Sequence, residues 1–285
     1  MQGTTVCRVG LVLAVVTALT GVAACTSEDS SGGPGRDDRA ARGRSLAALR
    51  SAERATERAA SARVESTTTM GSLMSMTADG TLGWSDGLTG TLTITYTGGT
   101  VADTMRRLGT TSMEARYLPD AYYARMGAKF AEQTDGKHWI RYAYEDLGAL
   151  TGGSGSHLGD QMRSTTPNQS VKLLLSSGDV RKVGEETVRG KAATHWSGTV
   201  AAADVADAGL RKQLTVAGVT TETVDIWVDK RNLLVKKVEK AQMATGLMTQ
   251  TAHYADYGVA VRAERPPASD TGDFEDLMRK RTGTP

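Results

Sequence analysis

The sequence predicts an α+β protein built on an antiparallel β-sheet, and three observations lead to that fold class. Short segments in which apolar and polar residues alternate strictly follow one another along the chain, as in LTGTLTITYT at residues 88 to 97. Turn residues such as Ser85-Asp86-Gly87 separate several of these segments, as hairpins require. Helical periodicity precedes each of two runs of strands, an order typical of antiparallel α+β domains.

In the first half, a helix is expected from about Leu46 to Ala62, with Ser45 as its N-cap and charged residues such as Arg50 and Glu53 facing away from its apolar stripe. Strands are then predicted at residues 64–70, 72–78, 80–86, 88–97, 110–118, 121–127 and 137–142. The sequence Ala78-Asp79-Gly80 is interpreted as a turn between two of them.

In the second half, Thr166-Pro167-Asn168-Gln169 predicts a helix start, with threonine at the N-cap, proline at the first helical position and glutamine at the third. Strands are expected at residues 180–188, 192–200, 221–229, 233–242, 249–257 and 259–263. A further helix is expected around residues 204–215.

The alternating segments predict that one long sheet presents a single apolar face. The inward side chains, which are the candidates for lining a ligand pocket, are Leu82, Trp84, Leu92, Ile94, Tyr96, Met113, Tyr117, Tyr122, Met126, Trp196, Val224, Ile226 and Val228. Trp227 points the other way. The helices have thin, alanine-rich stripes, so the sheet either packs a solid core or curls around a space that methionines would suit as adaptable lining.

The N-terminus predicts a lipoprotein signal. A short segment with Arg8 precedes an apolar run at residues 9–23, which is shorter than a membrane-spanning helix requires. The run closes on Val22-Ala23-Ala24-Cys25, which resembles the bacterial lipobox. Residues 1–24 are therefore expected to be a signal peptide and Cys25 a lipid-modified residue at the outer face of the cell membrane; the alternative is an ordinary secretory signal cut after Ala24.

Composition excludes several classes of function. Residues 25–44 are interpreted as the lipidated cysteine and a flexible tether, since they are rich in Ser, Gly, Asp and Arg. The only other cysteine, Cys7, lies in the signal, so the mature chain has no thiol for disulfides, metals or catalysis. A formal net charge of +2 gives no indication of a nucleic acid partner. The excess of arginine over lysine indicates a GC-rich genome, such as that of an actinobacterium.

The sequence gives no sign of an enzyme. The 4 histidines lie on separate segments without metalloprotease spacing, and no serine stands in a nucleophile elbow. Gly153-Ser154-Gly155 lacks the preceding strand of a phosphate-binding loop. We therefore expect no catalytic residue, cofactor or metal.

Three segments resemble the LppX and LprG family of mycobacterial lipoproteins. They are a "V-G-x-E-x-V-x-G" turn at residues 183–190, the strand Trp227-Val228-Asp229, and the final strand at residues 254–258, with Tyr254, Asp256, Tyr257 and Gly258. The resemblance extends over residues 45–267, which we take as the domain, with residues 268–285 as a C-terminal tail. It implies a LolA-like fold, in which a strongly curved antiparallel half-barrel wraps around a few helices.

The same resemblance implies an apolar pocket between sheet and helices that accepts the acyl chains of a lipid or lipoglycan, and hence an envelope lipid carrier or chaperone. The Gly-rich segment TGGSGSH at residues 151–157 departs from the family and is either a loop at the pocket mouth or a linker. The alternative function is a tethered interaction module with no open pocket and an envelope protein as partner. A cavity of some hundreds of Å³ between sheet and helices would distinguish the two.

Overall fold

The computed structural model describes residues 36–146, 166–243 and 246–282. The six helices of these residues are α1 (Arg36–Arg58), α2 (Gly99–Arg107), α3 (Ala128–Ala131), α4 (Pro167–Leu175), α5 (Ala208–Val216) and α6 (Phe274–Thr282). The strands are β1 (Ser61–Met70), β2 (Met74–Gly83), β3 (Thr89–Gly98), β4 (Ser112–Tyr117), β5 (Ala121–Arg125), β6 (Trp139–Ala143), β7 (Arg181–Val188), β8 (Lys191–Ala201), β9 (Thr221–Asp229), β10 (Leu234–Met243), β11 (Gly246–Ala255) and β12 (Thr271–Asp273).

The 12 strands form one sheet in the order β12-β6-β5-β4-β3-β2-β1-β11-β10-β9-β8-β7. Every neighbouring pair is antiparallel except β12 with β6. The sheet is curved and does not close, so the predicted α+β half-barrel is confirmed. Strand β1 pairs with β11 from the far end of the domain, and this pairing joins the two runs of strands into one sheet.

The predicted strand at residues 88–97 is β3, and its apolar face is buried as expected. Leu92 and Ile94 are each 7% exposed and belong to the main core, whereas Thr93 between them is exposed. Gly80 of β2 and Gly90 of β3 let the two strands approach closely. A Cβ at Gly80 would lie 2.1 Å from the carbonyl oxygen of Thr91, so only glycine fits this pairing.

The main core lies on the concave face, between the sheet and helices α1 and α4. Leu49 of α1 and Leu174 of α4 are fully buried there, together with Ile226 of β9. Helix α4 lies close to the sheet at Gly198, where a Cβ would come within 2.8 Å of the Leu174 Cδ1 atom. The helices therefore fill the concave face over β8 and β9 most tightly.

Several sequence expectations need correction. Helix α1 begins at Arg36, inside the segment interpreted as a tether, because arginine and alanine favour helix. Ser45 is not its cap: the hydroxyl group donates to the carbonyl oxygen of Ala41, one turn earlier. The turn predicted at Ala78-Asp79-Gly80 lies within β2, since Gly80 serves close strand approach rather than chain reversal. Residues 259–263 form no strand.

The chain forms further secondary structure after residue 267. Residues 271–273 extend the sheet as β12, where Asp273 Oδ2 accepts from Arg141 Nη1 at 2.7 Å, and α6 follows directly. Helices α2, α3 and α6 lie in segments for which the sequence predicted no helix. The signal peptide, Cys25 and the Gly-rich segment 151–157 lie outside the described residues. Within the described ranges, no helix combines the length and apolarity needed to cross a membrane.

Candidate functional site

A cavity of about 420 Å³ lies on the concave face of the sheet, where the helices leave it uncovered. Its wall comes from strands β1, β2, β3, β10 and β11, from Leu88 and Tyr117, and from the start of α4. The apolar lining residues are Val64, Met74, Met76, Ala78, Leu82, Leu88, Leu92, Ile94, Tyr117, Pro167, Ala252 and Tyr254; the polar ones are Ser66, Thr68, Thr166, Lys237 and Gln250. The volume falls in the range of small-molecule sites, about 300–1,000 Å³.

The cavity contains only some of the residues expected to line a pocket. Leu82, Leu92, Ile94 and Tyr117 lie in its wall. Trp84, Tyr122, Trp196, Val224, Ile226 and Val228 are buried in the main core, and Tyr96, Met113 and Met126 pack against that core. Alternation therefore identified the concave face correctly, but not the part of it that stays open.

The closed part of the face is explained by helix packing. Trp196 on β8 pairs with Ile226 on β9, and α4 covers this region through its approach at Gly198. Trp84 is held in place by a hydrogen bond, in which its Nε1 atom donates to the carbonyl oxygen of Glu57 at 3.1 Å. These two tryptophans belong to the packed core beside the cavity.

A cluster of aromatic side chains continues from the cavity toward the C-terminal helix. The ring centroids of Tyr117 and Tyr122 are 5.1 Å apart, those of Tyr122 and Tyr142 are 5.7 Å apart, and those of Tyr142 and Phe274 of α6 are 4.6 Å apart. Burial raises the pKa of Tyr142 to about 12 and the pKa of Tyr122 well above its ordinary value. These phenols therefore stay neutral at physiological pH and act as apolar surface with a polar tip.

Polar residues occupy one end of the cavity in two adjacent cross-strand rows. In the first row, Ser66 on β1 and Lys237 on β10 both pair with Ala252 on the intervening β11. In the second row, Thr68 pairs with Gln250, whose Nε2 atom donates to the Thr68 hydroxyl at 3.3 Å. The cavity is thus amphipathic: the lining residues of β2 and β3 are all apolar, whereas β1, β11 and β10 add polar groups beside Val64, Ala252 and Tyr254.

A buried charged cluster borders this polar end. Lys237 Nζ donates to Glu239 Oε2 at 2.7 Å, and the two side chains are 8% and 9% exposed. Burial works against the charge of Lys237, but the neighbouring Glu239 carboxylate and the hydrogen bond between them raise the pKa of the ammonium. Glu222 on β9 is 4% exposed, and burial, assisted by the Glu239 charge, raises its pKa to about 8.

The charged cluster was missed in the sequence, although a signal for it exists. The strands predicted at residues 221–229 and 233–242 form a hairpin, and its register places Lys237 opposite Ile226 and Glu239 opposite Val224. Since Val224 and Ile226 were expected to face inward, the two charged residues had to face inward too. Lys237 and Glu239 could therefore have been predicted to face inward by aligning the two strands of the hairpin with each other.

The chain is similar in sequence to two Streptomyces proteins. It is 58% identical over 296 residues to the Streptomyces coelicolor protein named "Putative lipoprotein SCO4650", covering 98% of both chains. It is 52% identical over 251 residues to the Streptomyces griseus "Uncharacterized 31.2 kDa protein in rplA-rplJ intergenic region", covering 84% of this chain and 82% of that one. The chain belongs to the family of these two Streptomyces proteins. No family model matches it.

Among solved structures, the fold is similar to that of two mycobacterial proteins, one of them a lipoprotein. LppX of Mycobacterium tuberculosis matches with a TM-score of 0.50 and 16% identity, over 78% of this chain and 99% of LppX. LprF of Mycobacterium bovis matches with a TM-score of 0.50 and 12% identity, over 79% of this chain and 98% of LprF. The resemblance to the LppX and LprG family is thereby confirmed, as a likeness of fold.

Two of the motif residues that carried this resemblance, Glu186 and Trp227, hold the convex face of the sheet together. Glu186 Oε2 accepts from Trp227 Nε1 at 2.8 Å, and Glu186 Oε1 contacts His195 Nδ1 at the same distance. The His195 and Trp227 rings stack with centroids 4.1 Å apart, and Lys236 Nζ lies 4.0 Å from the Trp227 centroid. Trp227 thus faces away from Val224 and Ile226, as predicted, and this set of residues links β7, β8, β9 and β10.

The turn residues of the same motifs shape two hairpins of the sheet. Asp229 Oδ1 accepts from the backbone N–H groups of Arg231 and Leu233, which shapes the β9–β10 hairpin. Gly190 has φ +80° in the β7–β8 turn, a conformation that favours glycine. These turn residues therefore shape the hairpins of the sheet. In the described residues no three His, Cys, Asp or Glu side chains converge as metal ligands.

Proposed function

We propose that this lipoprotein binds the acyl part of a lipid or lipoglycan in the cavity on its concave face and serves as a lipid carrier or chaperone at the outer face of the cell membrane. The observation that carries the proposal is the cavity of about 420 Å³ lined by Leu82, Leu92 and Ile94. Burial of apolar surface contributes roughly 25 cal/mol per Å², so an acyl chain is the ligand that such a wall favours most.

The methionines of the wall support the same proposal. Met74 and Met76 lie on β2 at the cavity, and both are partly exposed. Methionine has an unbranched, polarisable side chain that adapts to ligands of varied shape. A carrier must accept and release flexible chains, and methionine side chains in the cavity wall can adjust to them.

Ile94→Trp is expected to reduce the lipid that copurifies with the protein from its own host, because the larger side chain occupies part of the cavity. Since the indole enters open space, the free energy of unfolding should escape the usual overpacking penalty of about 1–3 kcal/mol. Mass spectrometry of extracted lipids measures the first effect, and chemical denaturation measures the second.

The matched control is Thr93→Trp, the adjacent residue on the exposed face of the same strand. It adds the same indole outside the cavity and should leave the copurified lipid unchanged. Equal lipid content in the parent protein and Ile94→Trp would contradict the proposal. Strong destabilisation by Ile94→Trp in a parent protein that holds no lipid would favour the interaction module instead.

For the membrane anchor we propose that Cys25 receives the lipid modification. The sequence Val22-Ala23-Ala24-Cys25 and the 58% identity to a protein named as a lipoprotein support this. Two or more acyl chains, each contributing about 0.8 kcal/mol per buried CH₂, anchor a protein firmly without a spanning helix.

Cys25→Ser is expected to leave the domain folded and either to release it from the membrane or to stall removal of the signal peptide. Cell fractionation combined with metabolic labelling by a palmitate analogue measures both outcomes. Cys7→Ser is the matched control, since it removes the other thiol of the chain and should change neither. A processed, signal-free Cys25→Ser protein that still fractionates with membranes would show the assignment to be wrong.

A further inference from the structure

The polar end of the cavity contains one charged lining side chain among the described residues, Lys237. Its side chain is 8% exposed, and its ammonium group makes one hydrogen bond, to Glu239 Oε2 at 2.7 Å. An ammonium group has three donors. Within the described part of the chain, two of them have no acceptor, which is costly for a charge this deeply buried.

The residues beside Lys237 also supply hydrogen-bonding groups to the cavity wall. Ser66 lies in the same cross-strand row, and Thr68 and Gln250 lie in the next one. Their hydroxyl and amide groups stand at one end of a wall that is otherwise apolar. This arrangement provides for a ligand that has a polar group between or beside its acyl chains.

The charges around Lys237 determine which polar group fits. Glu239 already neutralises the ammonium, and Glu222 lies diagonally opposite Glu239 on the neighbouring strand β9, where the Glu239 charge helps to raise its pKa. The cluster therefore has a net charge of zero when Glu222 is protonated and −1 when it is ionised. A carboxylate or phosphate that accepts from Lys237 Nζ would lie beside the Glu239 carboxylate, which already neutralises this ammonium, so no net positive charge is left to balance the added anion.

We propose that Lys237 donates a hydrogen bond to an uncharged oxygen acceptor of the bound lipid, such as an ester carbonyl. The inference rests on the proposed lipid-binding function and makes it more specific: the ligand is an ester-linked lipid whose carbonyl group lies at the polar end of the cavity. A lipid that is only hydrocarbon at this depth leaves the Lys237 donors unsatisfied, and a free fatty acid brings the wrong charge.

The test compares three probes of equal chain length on the mature protein: methyl dodecanoate, dodecane and dodecanoate. Displacement of a fluorescent acyl-ester probe gives the relative affinities. The ester is expected to bind about tenfold more tightly than the hydrocarbon, the value of one hydrogen bond to a charged group, and more tightly than the carboxylate.

The variant Lys237→Met/Glu239→Gln removes the donor and its charged partner together, so no unpaired charge is left buried. In this variant the ester should lose its advantage over the hydrocarbon. The control Lys240→Met removes an exposed lysine of the same strand and should keep the advantage. The affinity order in the unmodified protein is a second test, which does not depend on how well the double variant folds.

The outcomes separate the two proposals. Equal binding of ester and hydrocarbon by the unmodified protein, or an unchanged ester preference in the double variant, would overturn the role of Lys237 and leave acyl binding intact. Tightest binding of dodecanoate would overturn the uncharged acceptor in favour of an anionic one. If none of the probes binds, lipid binding in the cavity is itself overturned, and this inference with it.

Discussion

Replacing Lys237 by methionine is expected to lower the free energy of unfolding by about 3–5 kcal/mol at neutral pH, because the Glu239 carboxylate then stays buried without its partner. The two side chains are 8% and 9% exposed, and their charged atoms are 2.7 Å apart. Methionine keeps an unbranched stem similar to that of lysine, so lost packing contributes little. Chemical denaturation of both proteins at pH 7 measures the difference.

Removing both charges with Lys237→Met/Glu239→Gln should recover most of this loss, because a neutral pair has no charge to desolvate. Lys240→Met serves as the surface control and should change the free energy of unfolding by no more than about 0.5 kcal/mol. If Lys237→Met were no more destabilising than Lys240→Met, the pair would be solvated and the buried cluster would not exist in solution.

The position of this cluster bears on function as well as on stability. A buried ion pair can often be replaced by apolar residues of similar volume without loss of stability. Strand β10 instead places Lys237 and Glu239 on the concave face, between Leu234 and Ala241. Their value to a carrier would be selective: they favour a ligand with a matching oxygen atom over one that is purely hydrocarbon.

Local patterns were sufficient to predict most of the sheet. The alternation around Ile94 and around Ile226 identified which face of each strand is buried, because successive side chains of a strand point to opposite faces of the sheet. The same rule placed Trp227 on the convex face, apart from Trp196. These predictions depend only on neighbours along one strand.

Features that depend on distant parts of the chain were not predictable in this way. Whether Trp196 lines a cavity or a solid core depends on α4, which comes close to β8 at Gly198. Gly80 was interpreted as a turn residue, since a sequence does not show that the neighbouring strand passes 2.1 Å from the position of its missing Cβ. The burial of Lys237 likewise depends on strand pairing with β9 and β11.

The second large effect concerns pH and Glu222. In the unfolded chain this carboxyl group ionises near its ordinary pKa of 4.5, whereas burial and then the charge of Glu239 raise its pKa to about 8 in the folded protein. Between these values the folded state binds more protons than the unfolded state, so stability is lost as the pH rises. Because one pKa unit corresponds to about 1.4 kcal/mol, the loss between pH 4.5 and pH 8 is at most about 5 kcal/mol.

Glu222→Gln should remove this loss, because glutamine keeps the size of the protonated side chain and cannot ionise. We expect the variant and the parent to have similar free energies of unfolding at pH 5, and the variant to be the more stable by several kcal/mol at pH 9. Denaturation at a series of pH values measures the difference between the two proteins, in which the titration of groups remote from Glu222 cancels. Glu264→Gln, at an exposed position, should follow the parent at every pH. A constant difference between Glu222→Gln and the parent from pH 5 to pH 9 would mean that Glu222 is ionised throughout, and that the charged cluster is open to water.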